Sequence, residues 1–116
     1  MAENRLKELS TAFAVDIINL VKELKLKRES IISNQIGRSG TSIGANIREA
    51  QYAQSKADFI SKLQIALKEA NETGYWLELL NKTDYIDNTV FKGLDNKCST
   101  LRVILISSIN TAKKNS

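Results

Sequence analysis

The chain has 116 residues and a mass of 13.0 kDa, enough for one domain with its own core and short of the size at which chains usually divide. With 42% hydrophobic and 26% charged residues it is not a disordered polyelectrolyte, and the absence of proline favours uninterrupted helices. A net charge of +4 and a pI near 9.3 permit an acidic partner such as nucleic acid without requiring one.

The single cysteine, Cys98, leaves no intrachain disulfide and no cysteine-rich metal site, which points to a reduced, cytoplasmic interior. The opening "MAENRLKELS" lacks the apolar run of a secretory signal. No apolar stretch approaches the ~20 residues of a membrane span, so no membrane association is expected.

At about 100° per residue, apolar positions align four times along the chain. The first helix, about 3–25, carries Leu6, Leu9, Phe13, Ile17, Leu20 and Leu24, widened by Val21. The connector "KLKRES" follows, and then a second helix, about 30–54, striped by Ile32, Ile36, Ile43, Ile47 and Ala50. Ser55-Lys56-Ala57-Asp58 has the form of a capping box and opens a third helix, about 56–81, with Phe59, Leu63, Ala66, Ala70 and Leu77 on its stripe. After "NKTDYID", Asp87 is the predicted cap of a fourth helix, about 88–113, which carries Val90, Leu94, Cys98, Leu101, Leu105 and Ala112. Four amphipathic helices on short connections make an all-α single domain over residues 1–116, an antiparallel up-down-up-down four-helix bundle.

The second helix is unusual. Gly37, Gly40 and Gly44 are three of the chain's five glycines, but they fit neither phosphate-loop spacing. As helical residues they share an arc of about 60° beside the isoleucine stripe. Each costs about 1 kcal/mol against alanine, and close approach of another helix is the natural offset. On the other flank Gln35, Ser39, Ser42, Asn46 and Glu49, with Arg38 at their edge, form a polar stripe. A solvated face is one reading of it. Because these residues are short, hydrogen-bonding and weak helix formers, a polar seam between helices or between subunits is favoured.

These residues carry a resemblance. "QIGRSGTSIGANIREA" followed by "SKADFISKLQIALKEANETGYWLELL" resembles the four-helix bundle proteins, some of them encoded in intervening sequences of large-subunit ribosomal RNA genes. The family pattern is Q-[IL]-x-R-[AS]-x-x-S-I-x-x-N-I-A-E-G. It is met at Gln35, Ile36, Arg38, Ser39, Ser42, Ile43, Asn46, Ile47 and Glu49, and departs at Arg48 and Ala50, which implies a second helix running on through Tyr52. The resemblance, over roughly residues 5–112, implies a homopentamer. A similar bundle, the accessory variability determinant of diversity-generating retroelements, works with a reverse transcriptase and nucleic acid. By analogy RNA or DNA, or a protein such as a polymerase, becomes an expected partner beside the chain itself.

The chain has no histidine, so acid–base chemistry and di-metal sites built on Glu-x-x-His lose their commonest participant. Glu69 and Glu72 read as a solvated pair and Cys98 as a small buried thiol. The expectation is a non-enzymatic protein with no metal or cofactor. Lys22, Lys25, Lys27 and Arg28 end the first helix at the pole where Lys82 and Lys92 should arrive, and Lys97 and Arg102 extend the positive surface along the fourth. Such lysines also serve solubility and the helix dipole. Repeated around a ring they would make a strongly cationic body whose phosphate binding grows with each counterion released. Tyr75, Trp76 and Tyr85 are expected to seal the bundle end rather than to stack bases.

Overall fold

The computed structural model describes residues 2–115. Four helices follow in order: α1, Ala2–Leu26; α2, Ile31–Gln51; α3, Lys56–Lys82; and α4, Asn88–Lys114. Each packs antiparallel on its neighbour in sequence, and α4 returns to α1, so the helices stand at the corners of a square, and among the described residues no backbones approach closely across its diagonals. The molecule measures 48 × 21 × 19 Å, the long axis being set by 27-residue helices at about 1.5 Å per residue.

The stripes turn inward as the periodicity requires. Leu6, Phe13, Ile17 and Leu24 of α1 meet Ile36, Ile43 and Ile47 of α2, Leu77 and Leu80 of α3, and Leu101 and Leu105 of α4, all nearly or wholly out of water. Burial of each such side chain contributes about 1.5–3 kcal/mol. Ile86, in the α3–α4 connection, closes the core at one pole. The stripe of α4 leaves the core at its N-terminal end, where Val90 is exposed.

Caps define the entries. Ser55 Oγ accepts from the Asp58 N–H at 3.0 Å, while the Asp58 carboxylate accepts from the Gln54 N–H at 3.3 Å. Asp87 accepts from the Val90 N–H at 2.8 Å. The second helix stops at Gln51, short of the expected 54, and does not run on through Tyr52. Tyr52 is its C-cap, the Tyr52 and Ala53 N–H groups close back on Glu49 and Ala50 at 3.1 Å, and the chain then extends so that Ser55 can cap α3.

Candidate nucleic-acid interface

The pole that gathers most of the candidate cations is built by two similar helix ends. In α1 the Arg28 N–H bonds to the Lys25 carbonyl at 3.0 Å and the Glu29 N–H to the Leu24 carbonyl at 2.9 Å, a Schellman motif with Arg28 left-handed at φ 64°. In α3 the Asp84 N–H bonds to Asn81 at 3.1 Å and the Tyr85 N–H to Leu80 at 3.0 Å, with Asp84 at φ 65°. Neither position is a glycine. These reversals bring the two connections side by side, where Lys27 Nζ donates to the Tyr85 carbonyl at 3.0 Å.

Glu29 does two jobs in this corner. Its N–H finishes α1, and its buried carboxylate accepts from the N–H groups of Ile31 (3.1 Å), Ile32 (3.0 Å) and Ser33 (2.6 Å), capping α2 in place of Ser30, whose side chain caps nothing. Ser33 Oγ returns a bond to the Glu29 carbonyl at 2.8 Å. An anion at a helix N-terminus satisfies orphan donors and the dipole together. The one sequence signal of this cap is an acidic residue just before the second stripe, within the connector "KLKRES".

The eight predicted cations do not form one surface. Lys82 pairs with Glu78 at 3.5 Å and Lys97 with Asp16 at 2.7 Å, while Arg102 donates to Ser99 Oγ at 2.7 Å and leans over Gly74 on the α3 flank. Lys92 stands one turn into α4, beside the acidic α3–α4 connection. Around the whole pole, Lys22, Lys25, Lys27, Arg28, Lys82 and Lys92 are met by Glu23, Glu29, Glu78, Asp84 and Asp87. The excess is confined to the α1–α2 corner. There Lys22, Lys25, Lys27 and Arg28 lack a carboxylate partner among the described residues: Lys25 donates to Asn34 Oδ1 at 3.2 Å, and Glu29 is spent on the α2 cap.

The second-helix residues turn to two neighbours. The glycines face α1: a methyl on Gly37 would lie 3.4 Å from Val21, on Gly40 2.9 Å from Ile17, and on Gly44 3.3 Å from Ser10. On the opposite flank, buried Thr73 of α3 donates to Ser39 Oγ at 2.9 Å. Arg38 bridges Glu69, at 2.9 Å, and Glu72, and Glu49 pairs with Lys62 at 3.3 Å. Ser42 and Asn46 donate to carbonyls of their own helix and remain half-buried, while Gln35 is exposed. Both flanks of α2 therefore make packing seams inside one bundle.

Glu69 and Glu72, expected to be a solvated pair, act as this arginine clamp. The Trp76 indole N–H, which donates to Glu72 at 3.0 Å, and then the Arg38 guanidinium hold the Glu72 carboxyl below its ordinary range. Trp76 and Tyr85 pack partly buried against the core, but Tyr75 faces solvent, its ring 5.0 Å from that of Trp76, and does not help to seal the end. Cys98 Sγ lies 3.2 Å from the Ala70 carbonyl, and burial pushes its thiol up to about 11, which keeps it protonated and unreactive at neutral pH. Among the described residues no three side chains are grouped to hold a metal, and no helix is long and apolar enough to cross a membrane.

Fold and surface together define an all-α four-helix bundle with a locally basic corner and a small-residue seam. The chain belongs to the 23S rRNA-intervening sequence protein family, whose family model matches residues 2–107. A crystal structure of a protein of unknown function from the S23 ribosomal protein family of Bacteroides thetaiotaomicron VPI-5482 is similar to it, with 55% identity and a TM-score of 0.93 over 95% of this chain and 99% of that one. No curated protein matches.

Proposed function

We propose that this chain is a non-enzymatic binding module that contacts RNA or DNA through backbone charge at the α1–α2 corner and works as a homo-oligomer. The observation that carries the reading is the cluster of Lys22, Lys25, Lys27 and Arg28 over the end of α1 and the tight connection after it, without carboxylate partners among the described residues. Phosphate contacts add through counterion release, so a few cations per subunit become effective when subunits are repeated. Self-association is supported by the outward aliphatics Val15 and Ile18 of α1 and Val103 and Ile106 of α4, all exposed on a single bundle. Five subunits is the number that the family resemblance implies.

The test is fluorescence anisotropy with labelled structured RNA and duplex DNA across a salt series, run beside light scattering of the purified chain. Affinity should fall linearly in log salt, and each lysine neutralised in Lys22→Gln, Lys25→Gln and Lys27→Gln should lower the slope by about 1. Absence of binding at low salt overturns the reading. The second reading, a scaffold for another protein, is favoured by the same outward aliphatics and by the near balance of charge over the whole pole. It requires partner binding to survive those neutralisations.

A further inference from the structure

Two large aliphatic side chains stand where a polar turn would ordinarily be. Leu26, the last residue of α1, is 85% exposed, and Ile31, the first of α2, is 78% exposed. Neither serves the core, which α1 and α2 complete with Leu24 and Ile36. They flank the connection that carries Lys27 and Arg28, with Lys25 and Lys22 at the end of α1. The residues between them are fixed by the Schellman bonds and the Glu29 cap, so the two side chains project from a braced turn.

We propose that this corner recognises unpaired nucleotides, with Leu26 and Ile31 covering exposed base faces while Lys22, Lys25, Lys27 and Arg28 hold the flanking phosphates; the proposal rests on the nucleic-acid reading above and names its substrate class. Aliphatic groups carry no donor or acceptor, so the thymine methyl is the one base-edge feature they can read. They gain only by covering apolar surface, which in nucleic acid is chiefly the base face and in RNA, without the thymine methyl, almost wholly so. A continuous duplex hides its base faces by stacking, whereas loops, bulges and ends present them. Insertion of leucine or isoleucine between bases is a recurrent device, and it costs least where stacking is already broken. The recognition is therefore of strand state and not of sequence.

Charge argues against a flat anionic membrane as the occupant. The neighbouring α3–α4 connection sets Asp84 and Asp87, with Glu78 behind them, against Lys82 and Lys92, so a plane pressed on the whole pole meets carboxylates. A ligand as narrow as one strand can lie on the α1–α2 corner alone.

The experiment measures anisotropy of the full chain with three labelled probes: an RNA hairpin with an unpaired loop, the same stem as a blunt duplex, and the DNA form of the hairpin. Vesicles containing anionic phospholipid form a fourth arm. The wild type should prefer either hairpin to the duplex by about tenfold or more. Leu26→Ser/Ile31→Ser, at two exposed sites that leave the core intact, should abolish that preference without changing the salt slope. Lys25→Gln/Lys27→Gln should lower the slope by about 2 and keep the preference. Equal, salt-dependent binding of hairpin and duplex, or a preference untouched by the serine variant, overturns this inference and leaves the nucleic-acid reading standing. No binding to any nucleic-acid probe overturns both. Vesicle binding lost in the serine variant, without hairpin preference, reassigns the two aliphatics to a lipid surface and overturns the inference.

Discussion

Replacing Gly40 by alanine sets two effects of opposite sign against each other. Removing a helix-interior glycine is worth about 1 kcal/mol. The new methyl, however, would stand 2.9 Å from both Cγ1 and Cγ2 of Ile17 and 3.3 Å from its Cβ. Those atoms are the root of a β-branched side chain that is wholly buried and has one strongly preferred helical rotamer. Relief requires α1 and α2 to separate, and overpacking of this kind costs about 1–3 kcal/mol. Sterics should win, leaving a net loss of about 1 kcal/mol and lowering the melting temperature by roughly 4 °C in a chain of this size. Gly93→Ala is the control: nothing lies within 4 Å of its added methyl, so the helix-propensity gain of about 1 kcal/mol stands alone. Urea unfolding followed by circular dichroism, at matched protein concentration, measures both. In an Ile17→Ala background the Gly40 substitution should turn stabilising, since the opposing Cγ atoms are gone. If Gly40→Ala stabilises as much as Gly93→Ala, the glycine face does not serve close approach and the reasoning fails.

Glu29→Ala removes the acceptor for three N–H groups at the start of α2, with an expected loss of about 1–2 kcal/mol in urea, while Ser30→Ala, at the nominal cap, should cost little. Arg28→Gly relieves a left-handed residue and should stabilise by about 1 kcal/mol while weakening RNA binding in anisotropy, so that stability and affinity move apart. Glu72 has its folded-state pKa lowered, so its contribution is present above the ordinary carboxylate range and is lost as pH falls through the folded value. The urea midpoints of wild type and Glu72→Gln should therefore converge as pH falls from neutrality to below the ordinary carboxylate range, with a gap at the top of about 1 kcal/mol or less because the clamp is partly exposed.

The elements most legible in the residues were those governed by local periodicity and caps. The four stripes, the Ser55 and Asp87 caps and the three-glycine arc depend on neighbours within a turn or two, which a single sequence displays. The corner was less legible because its design breaks the usual correlations. Arginine and aspartate take left-handed positions where glycine is common, and Glu29 joins the exit of one helix to the entry of the next, so no short pattern announces it. Reading cations along the chain also overstated the basic pole. Folding brings Asp16 to Lys97 from 81 positions away, a pairing that sequence spacing does not reveal. Leu26 and Ile31 give no sequence signal because exposure at a turn depends on how the helices end. Tyr75, one residue from Trp76, faces outward because adjacent positions on a helix differ by about 100°.

The square arrangement also orders the folding reaction. Three of the four helix seams join consecutive helices across connections of a few residues, so each closes at small entropic cost. Only the seam between α1 and α4 joins distant parts of the chain, and it is the sparsest, spanned by the Lys97–Asp16 pair and bordered by an open groove of about 340 Å³ lined by Asn19, Leu20, Val90 and Gly93. The largest single loop-closure cost falls on that one contact. A chain built this way has low contact order and should zip through successive helical hairpins rapidly, with the first and last helices meeting late and parting early. Amide exchange would then rank the seams by sequence separation, with the outer helices least protected along the groove and the α2–α3 hairpin, joined by Ser39, Thr73 and the Arg38 clamp, protected longest.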